Sequence, residues 1–327
     1  MHRDLFVVDG HADTLYRALR DARRWEERSE EGQSDLPRFI EGGVNLQVFA
    51  VFSSPAHRGP GFTVRALEMI NAFFGGMERA ASSPGGARAP VASLGCVRTK
   101  EDVDRARGGF WGLLSIEGGE AIGGSVGALE AFFRLGVRAM GLVWNHRNEL
   151  ADGVSESETG GGLTRLGKEV VRRMNEWGML VDVSHLSEPG FWDVVRHARA
   201  PIYASHCNAR RLCDHPRNLT DDQLRAVADS GGVIGINFCD RFLVETGEAT
   251  LTHVVDHIAY VCDLVGTEHV GLGTDYDGIE TPPKGLEDVS KLPALTAAML
   301  ARGFGEEAVR AVMGENLARL FSTVLPA

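Results

Sequence analysis

Leu5-Phe6-Val7-Val8-Asp9-Gly10-His11-Ala12-Asp13 is the stretch on which the reading of this chain turns. A short apolar run closed by glycine reads as a buried strand, and side chains two residues apart on a strand share a face. His11 and Asp13 can therefore point at one ion, and an imidazole beside a carboxylate suits zinc or a similar divalent metal. One such pair is a weak signal, but the arrangement recurs. Glu117 ends the run 110–116, His185 ends 179–184, His206 ends 201–205 and Asp275 follows 269–274. Residues of ligand type at five independent strand ends form a pattern that chance explains poorly.

Working outward, strand-like runs fall at 5–9, 44–52, 110–116, 137–143, 179–183, 201–204, 233–237 and 269–274. Helical patterns lie between them at 62–82, 124–135, 164–177, 188–198, 220–230 and 250–264, several opened by caps such as Thr164, Ser187 and Thr220. Eight strands alternating with helices predict a (β/α)8 TIM barrel, which builds its active site at the C-terminal strand ends, where the candidate ligands fall. The reading is of one domain over 1–327, with extra closing helices at 284–302 and 305–322. The charged stretch 21–38 reads as a surface excursion and partial lid, and the Gly-rich stretch 148–163 as a mobile loop over the barrel mouth. The loops 53–62 and 148–163 carry no interpretable code for substrate side chains.

The composition excludes several classes. A net charge of −11 argues against a nucleic-acid surface. No apolar run approaches the roughly 18 residues that span a bilayer, and the chain enters a strand at once without a signal-like segment, so a cytoplasmic enzyme is expected. The five cysteines, with no CxxC, fit a reducing compartment. Cys207 beside His206 is read as a small buried residue rather than a nucleophile.

Two metals about 3.5 to 4 Å apart would polarise a carbonyl and share a bridging hydroxide as nucleophile. His11 and Asp13 would hold one metal and His185 and His206 the other, with Glu117 between them. A carbamylated lysine is the usual alternative bridge, but Lys100, Lys168, Lys284 and Lys291 all lie away from strand ends. Asp275 can take a proton from the nucleophile and pass it to a leaving amine, or serve as a further ligand or a loop cap. Asp277-Gly278 reads as turn chemistry.

Asp9-Gly10-His11-Ala12-Asp13, Ser115-Ile116-Glu117-Gly118-Gly119, Gly162-Leu163-Thr164 running to Val181-Asp182-Val183-Ser184-His185, Ser205-His206, Gly271-Leu272-Gly273-Thr274-Asp275-Tyr276-Asp277-Gly278 and Gly314-Glu315-Asn316 together resemble the renal (membrane) dipeptidase family of metallopeptidases, within the amidohydrolase superfamily. The resemblance covers roughly 5–322 and is to the microbial branch. It implies two zinc ions on the ligands named above, hydrolysis of dipeptides often with a D-residue at the C-terminal position, β-lactam opening by some members, and a homodimer. By motif position Asp275 matches the acid/base aspartate and Arg217 the arginine that binds the substrate's free carboxylate. An arginine can hold a carboxylate through two parallel hydrogen bonds, which favours substrates ending just after the scissile bond.

The substrate-polarising histidine of the animal branch aligns with Trp144, and in Val143-Trp144-Asn145-His146-Arg147-Asn148 the nearby His146 is a candidate for that role. His215, close to Arg217, is a candidate substrate contact. The competing readings are another amidohydrolase-superfamily hydrolase, acting on a lactone, cyclic amide or N-acyl amino acid, and a non-catalytic metal-binding barrel.

Overall fold

A computed structural model describes residues 1–52, 54–57, 59–82 and 93–327; Ser53 and Arg58 of the 53–62 loop lie outside the described residues. The strands are β1 (Val7–Ala12), β2 (Val44–Phe52), β3 (Leu94–Cys96), β4 (Phe110–Glu117), β5 (Val137–Gly141), β6 (Leu180–Asp182), β7 (Tyr203–Ala204), β8 (Val233–Ile236) and β9 (Val270–Leu272). All pairings between them are parallel, and β9 pairs with β1 while β2 pairs with β4, so eight of them close into a barrel. The fold is the expected (β/α)8 barrel. The extra strand β3 covers the lower edge of β4 at Phe110–Gly112, below the point where β5 takes over at Leu114. Three residues of mixed character carry no strand periodicity, and the sequence reading passes over them.

Helices fill the connections as their caps dictate. Thr164, Ser187 and Thr220 each accept a hydrogen bond from a backbone N–H in the first turn of the helices Arg165–Trp177, Glu188–His197 and Asp221–Asp229. Such caps satisfy donors that a helix start otherwise leaves bare. The helices pack an apolar layer on the outside of the barrel. A second apolar cluster sits inside its N-terminal end, where Val8, Leu46, Val48, Leu113, Leu180 and Val233 meet Leu317 and Phe321. The closing helix is therefore a plug. It runs over Asn316–Val324, after a π-helical turn at Ala311–Glu315 that breaks the continuous helix expected over 305–322. At that turn Gly314 passes so close to β1 that a Cβ would sit 2.0 Å from the Phe6 carbonyl oxygen. The other closing helix starts at Leu292 rather than near 284, because Asp288 caps a separate short turn ahead of it.

Two loops differ from expectation. The 21–38 segment is anchored rather than superficial: Trp25, Ser34 and Asp35 are buried, and Trp25 packs on Phe49 and Phe73. The 148–163 loop is ordered by bridges from Ala151 to Leu163 and from Gly153 to Leu186, and by the Arg147–Asp152 ion pair. With its lower end plugged, the barrel opens only where its strands end in polar residues.

Candidate metal centre and active site

Every predicted ligand converges at the C-terminal end of the barrel. His11 lies within β1 and Asp13 just beyond it; Glu117 ends β4, and His185 and His206 follow β6 and β7. All five are buried. His11 Nε2 is 3.5 Å from Asp13 Oδ2 and 3.4 Å from Glu117 Oε2. The other Glu117 oxygen, Oε1, is 2.9 Å from His185 Nε2 and 3.7 Å from His206 Nε2. Two ligand groups result, His11–Asp13–Glu117 and Glu117–His185–His206, joined by the two oxygens of one carboxylate.

The fit to a cation shows first in the two later histidines. His185 Nδ1 lies 2.7 Å from Asn145 Oδ1, and His206 Nδ1 lies 2.6 Å from Ser205 Oγ, whose proton is committed to Asp182 Oδ2. These partners assign the ring protons to both Nδ1 atoms. The two Nε2 lone pairs then face each other 2.9 Å apart, an arrangement that a cation between them relieves. Burial, and next the charge of Arg217, pushes His185 down to about 3; burial and the charges of His11 and Arg217 hold His206 well below its usual value. Both rings are neutral, as ligation requires.

The first half of the centre is built differently. Among the described residues His11 has no hydrogen-bond partner on either ring nitrogen, and Asp13 Oδ1 has none. Buried polar atoms are rarely left so, and such an orphaned group suits an ion. Burial alone would lower His11, but Glu117 and Asp13 outweigh it and raise it well above the usual imidazole range. Burial, reinforced by the Glu117 charge, lifts Asp13 to about 8. Burial also lifts Asp275 to about 6, with Glu117 adding to the rise and His11 opposing it. Glu117 is held below the ordinary carboxylate range despite its burial, by His11 and His185. Three carboxylates around one imidazole form a pocket of excess negative charge, suited to a divalent cation.

A third cluster, His11–Asp182–His206, also comes together. Asp182 is not free to ligate: Oδ1 accepts from the backbone N–H groups of Ser184 and Ser205, and Oδ2 from Ser205 Oγ. Its place is behind His206.

Asp275 follows β9 with Oδ1 3.9 Å from His11 Nε2, while Oδ2 accepts from Asn237 Nδ2 at 2.9 Å. Its backbone is left-handed at φ 62°, and that of His185 at φ 69°. Such conformations are costly for residues other than glycine and gather at functional sites. Arg217, on the loop after β7, is buried, with Nη2 unpartnered among the described residues and its guanidinium 5.5 Å from the Phe242 ring centre. A cleft of about 560 Å³ holds Asp13, Glu117, His185, Arg217 and Asp275 on its walls, together with His215.

His146 is not brought to this centre. Its side chain is 57% exposed, its ring is 3.9 Å from Glu156, and it borders a separate cavity beyond Trp144. One residue earlier, Asn145 faces the cleft and holds His185. The chain is irregular after β5, so neither strand nor helix period fixes which residue turns inward. Asn145, Asn237, Ser205 and Asp182 are missed by the sequence reading because it searched strand ends for ligands, not for the residues that hold ligands. Cys207 is buried, 3.5 Å from Ser184 Oγ, and its thiol is raised by burial, which suits packing and not nucleophilic attack.

Comparison with known proteins agrees with this geometry. The sequence profile of the membrane dipeptidase family, peptidase family M19, matches residues 1–326. An uncharacterized protein of the pqqA 5' region of Klebsiella pneumoniae is 39% identical over 253 residues, covering 75% of this chain and 91% of its own. The solved structure of dipeptidase AC, an M19 metallopeptidase, superposes with a TM-score of 0.90 at 34% identity and covers 99% of both chains. A metallopeptidase from Rhodobacter sphaeroides, liganded with a phosphinate mimic of the dipeptide L-Ala-D-Ala, superposes with a TM-score of 0.88 at 34% identity, covering 98% of this chain and 99% of its own. Barrel, ligand order and whole-length match lead to one assignment: the chain belongs to the membrane dipeptidase family of metallopeptidases, M19.

Proposed function

We propose that this metallodipeptidase uses two zinc ions to hydrolyse dipeptides that carry a free C-terminal carboxylate, L-Xaa-D-Xaa among them. The observation that carries the substrate reading is Arg217, a buried guanidinium with an unpartnered Nη2 on the wall of the cleft that holds the ligands. A buried guanidinium nitrogen without a hydrogen-bond partner is costly, and a substrate carboxylate supplies one. The Rhodobacter relative, with its L-Ala-D-Ala mimic, supports the same substrate class.

His11, Asp13 and Glu117 would hold one ion and Glu117, His185 and His206 the other. Bound divalent metal supplies Lewis-acid chemistry: it polarises the scissile carbonyl and makes water nucleophilic at neutral pH. The remaining work falls to the chain. Arg217 fixes the C-terminal carboxylate and so the position of the peptide bond. Asp275 Oδ1 faces the centre and takes the proton of the attacking water, then delivers it to the leaving amine. Its other oxygen is held by Asn237 Nδ2, which fixes the carboxyl plane while the proton moves. A histidine at 146 has no part in this scheme. The same reading extends to a cytoplasmic homodimer acting as one unit over 1–327, with its cysteines free as in a reducing compartment.

The test is a panel of L-Xaa-L-Xaa and L-Xaa-D-Xaa dipeptides with the zinc-loaded protein, each as free acid and as C-terminal amide. The acids should turn over and the amides should be poor substrates. Arg217→Met should lower kcat/KM for the acid by the equivalent of about 2 to 5 kcal/mol and hardly affect the amide. Equal turnover of acid and amide by the unaltered protein would transfer the assignment to a lactone or cyclic amide hydrolase.

A further inference from the structure

Asp275 is held by a turn, and the turn is held by Asp277. Within Asp275–Gly278, both Asp275 (φ 62°) and Asp277 (φ 69°) are left-handed. Two such residues in one turn persist only where their surroundings over-determine them. The turn closes on itself, with Gly278 N and Ile279 N donating to the Asp275 carbonyl oxygen at 3.0 and 3.1 Å. Its backbone lies directly on the centre: a Cβ at Gly278 would fall 2.3 Å from Asp13 Oδ2 and 2.5 Å from Asp275 Oδ1. A shift of this turn is therefore felt by both carboxylates at once.

The Asp277 carboxylate is fully buried and satisfied entirely by the 21–38 segment. Oδ1 accepts from Gln33 N at 2.6 Å, and Oδ2 accepts from Ser34 Oγ at 2.6 Å and from Arg23 Nη2 at 2.8 Å. Gln33 clasps the turn from the same side, its Oε1 accepting from Asp277 N at 2.8 Å and its Nε2 donating to the Ile279 carbonyl at 2.9 Å. Ser34 Oγ, its proton given to Asp277, accepts from Thr14 Oγ1 at 2.6 Å, which ties in the residue after Asp13. The segment that reads as a surface excursion thus reaches the turn behind Asp275, through the Asp277 carboxylate and Gln33, and the chain beside Asp13, through Ser34.

We propose that Asp277 is a positioning residue for the reaction: held by Arg23, Gln33 and Ser34, it fixes the left-handed turn that aims the Asp275 carboxylate at the substrate. The proposal rests on the reading of Asp275 as acid and base. Asp277→Asn preserves shape but sets an amide donor against the donors that face one carboxylate oxygen, so part of the clamp is lost while the Gln33 contacts to the turn backbone remain.

In metal-loaded protein, Asp277→Asn should lower kcat by about 10- to 100-fold, the usual effect of losing a residue that orients a catalytic group, with KM for a cleaved dipeptide within about threefold. Because Asp277 acts through Asp275, the double variant Asp275→Asn/Asp277→Asn should be no slower than Asp275→Asn alone. Gln33→Ala and Ser34→Ala give the same pattern more mildly and carry the test if Asp277→Asn does not fold. An unchanged kcat with only a lower melting temperature, or losses that add in the double variant, would overturn the proposal. A crystal structure of the variant gives a readout independent of turnover. The Asp275 carboxylate should leave its 2.9 Å contact with Asn237, and an unmoved turn overturns the idea even if no dipeptide proves to be a substrate.

Discussion

The two halves of the metal centre are built on opposite plans. On one side His185 and His206 are each oriented by a hydrogen bond behind the ring, donated to Asn145 Oδ1 and to Ser205 Oγ of the Ser205–Asp182 pair. On the other, His11 has no hydrogen-bond partner on either nitrogen among the described residues, and Asp13 and Asp275 sit against the left-handed turn at 275–278, with Asn237 holding one Asp275 oxygen and the 21–38 segment clamping Asp277. The first half is preorganised by side-chain partners and keeps its rings neutral. The second gathers carboxylates in a buried cluster, whose charge a bound cation would neutralise. On the proposed reading both halves hold metal, and Asp275, beside the carboxylate half, moves the proton.

The largest expected effect tests that division. Asp275→Asn keeps the shape and the place of the side chain but removes the proton acceptor, so turnover should fall by roughly 10² to 10⁴ while metal analysis still finds both equivalents. Loss of metal together with activity would make Asp275 a ligand and erase the distinction between the halves.

A smaller effect probes the histidine half. Ser205→Ala removes the acceptor behind His206, and Asn145→Ala the one behind His185. Either should weaken one metal equivalent by about 10- to 100-fold in affinity and leave the other in place, as competition with a chelator would measure. Equal loss of both would mean that the two ions bind as one unit.

The smallest effect is a pH dependence that comes from the carboxylate half. In metal-free protein Asp13 is raised from 3.8 to about 8, first by burial and then by the Glu117 charge. A carboxyl raised in the fold contributes stability that is complete below its ordinary value and is lost as pH climbs through the raised one. His11, also raised, has the same sign. His185 and His206 are lowered, so their contribution is complete above 6.5 and does not change in that window. From about pH 6.5 to 8 the metal-free protein should therefore lose stability, and the gap in Tm between zinc-loaded and metal-free protein should widen. A constant or narrowing gap would show that Asp13 and His11 do not hold these extra protons in the metal-free fold.

The amino-acid sequence alone reached the barrel and the gathering of His11, Asp13, Glu117, His185, His206 and Asp275 at one rim of it, for one physical reason. Side chains alternate along a strand, and a parallel barrel gathers all its strand ends at one rim, so a ligand-type residue at the end of an apolar run has its place set by local chemistry. What supports those residues was decided only by tertiary structure. Asp277 meets Gln33 across 244 residues, and Asn237 meets Asp275 across 38. Such pairs leave no period in the chain, because they come together in irregular segments after the strands have paired. His146 and Asn145 show the limit most plainly: they are neighbours in sequence, and only the path of the backbone after β5 turns the asparagine toward the metal centre and the histidine toward solvent.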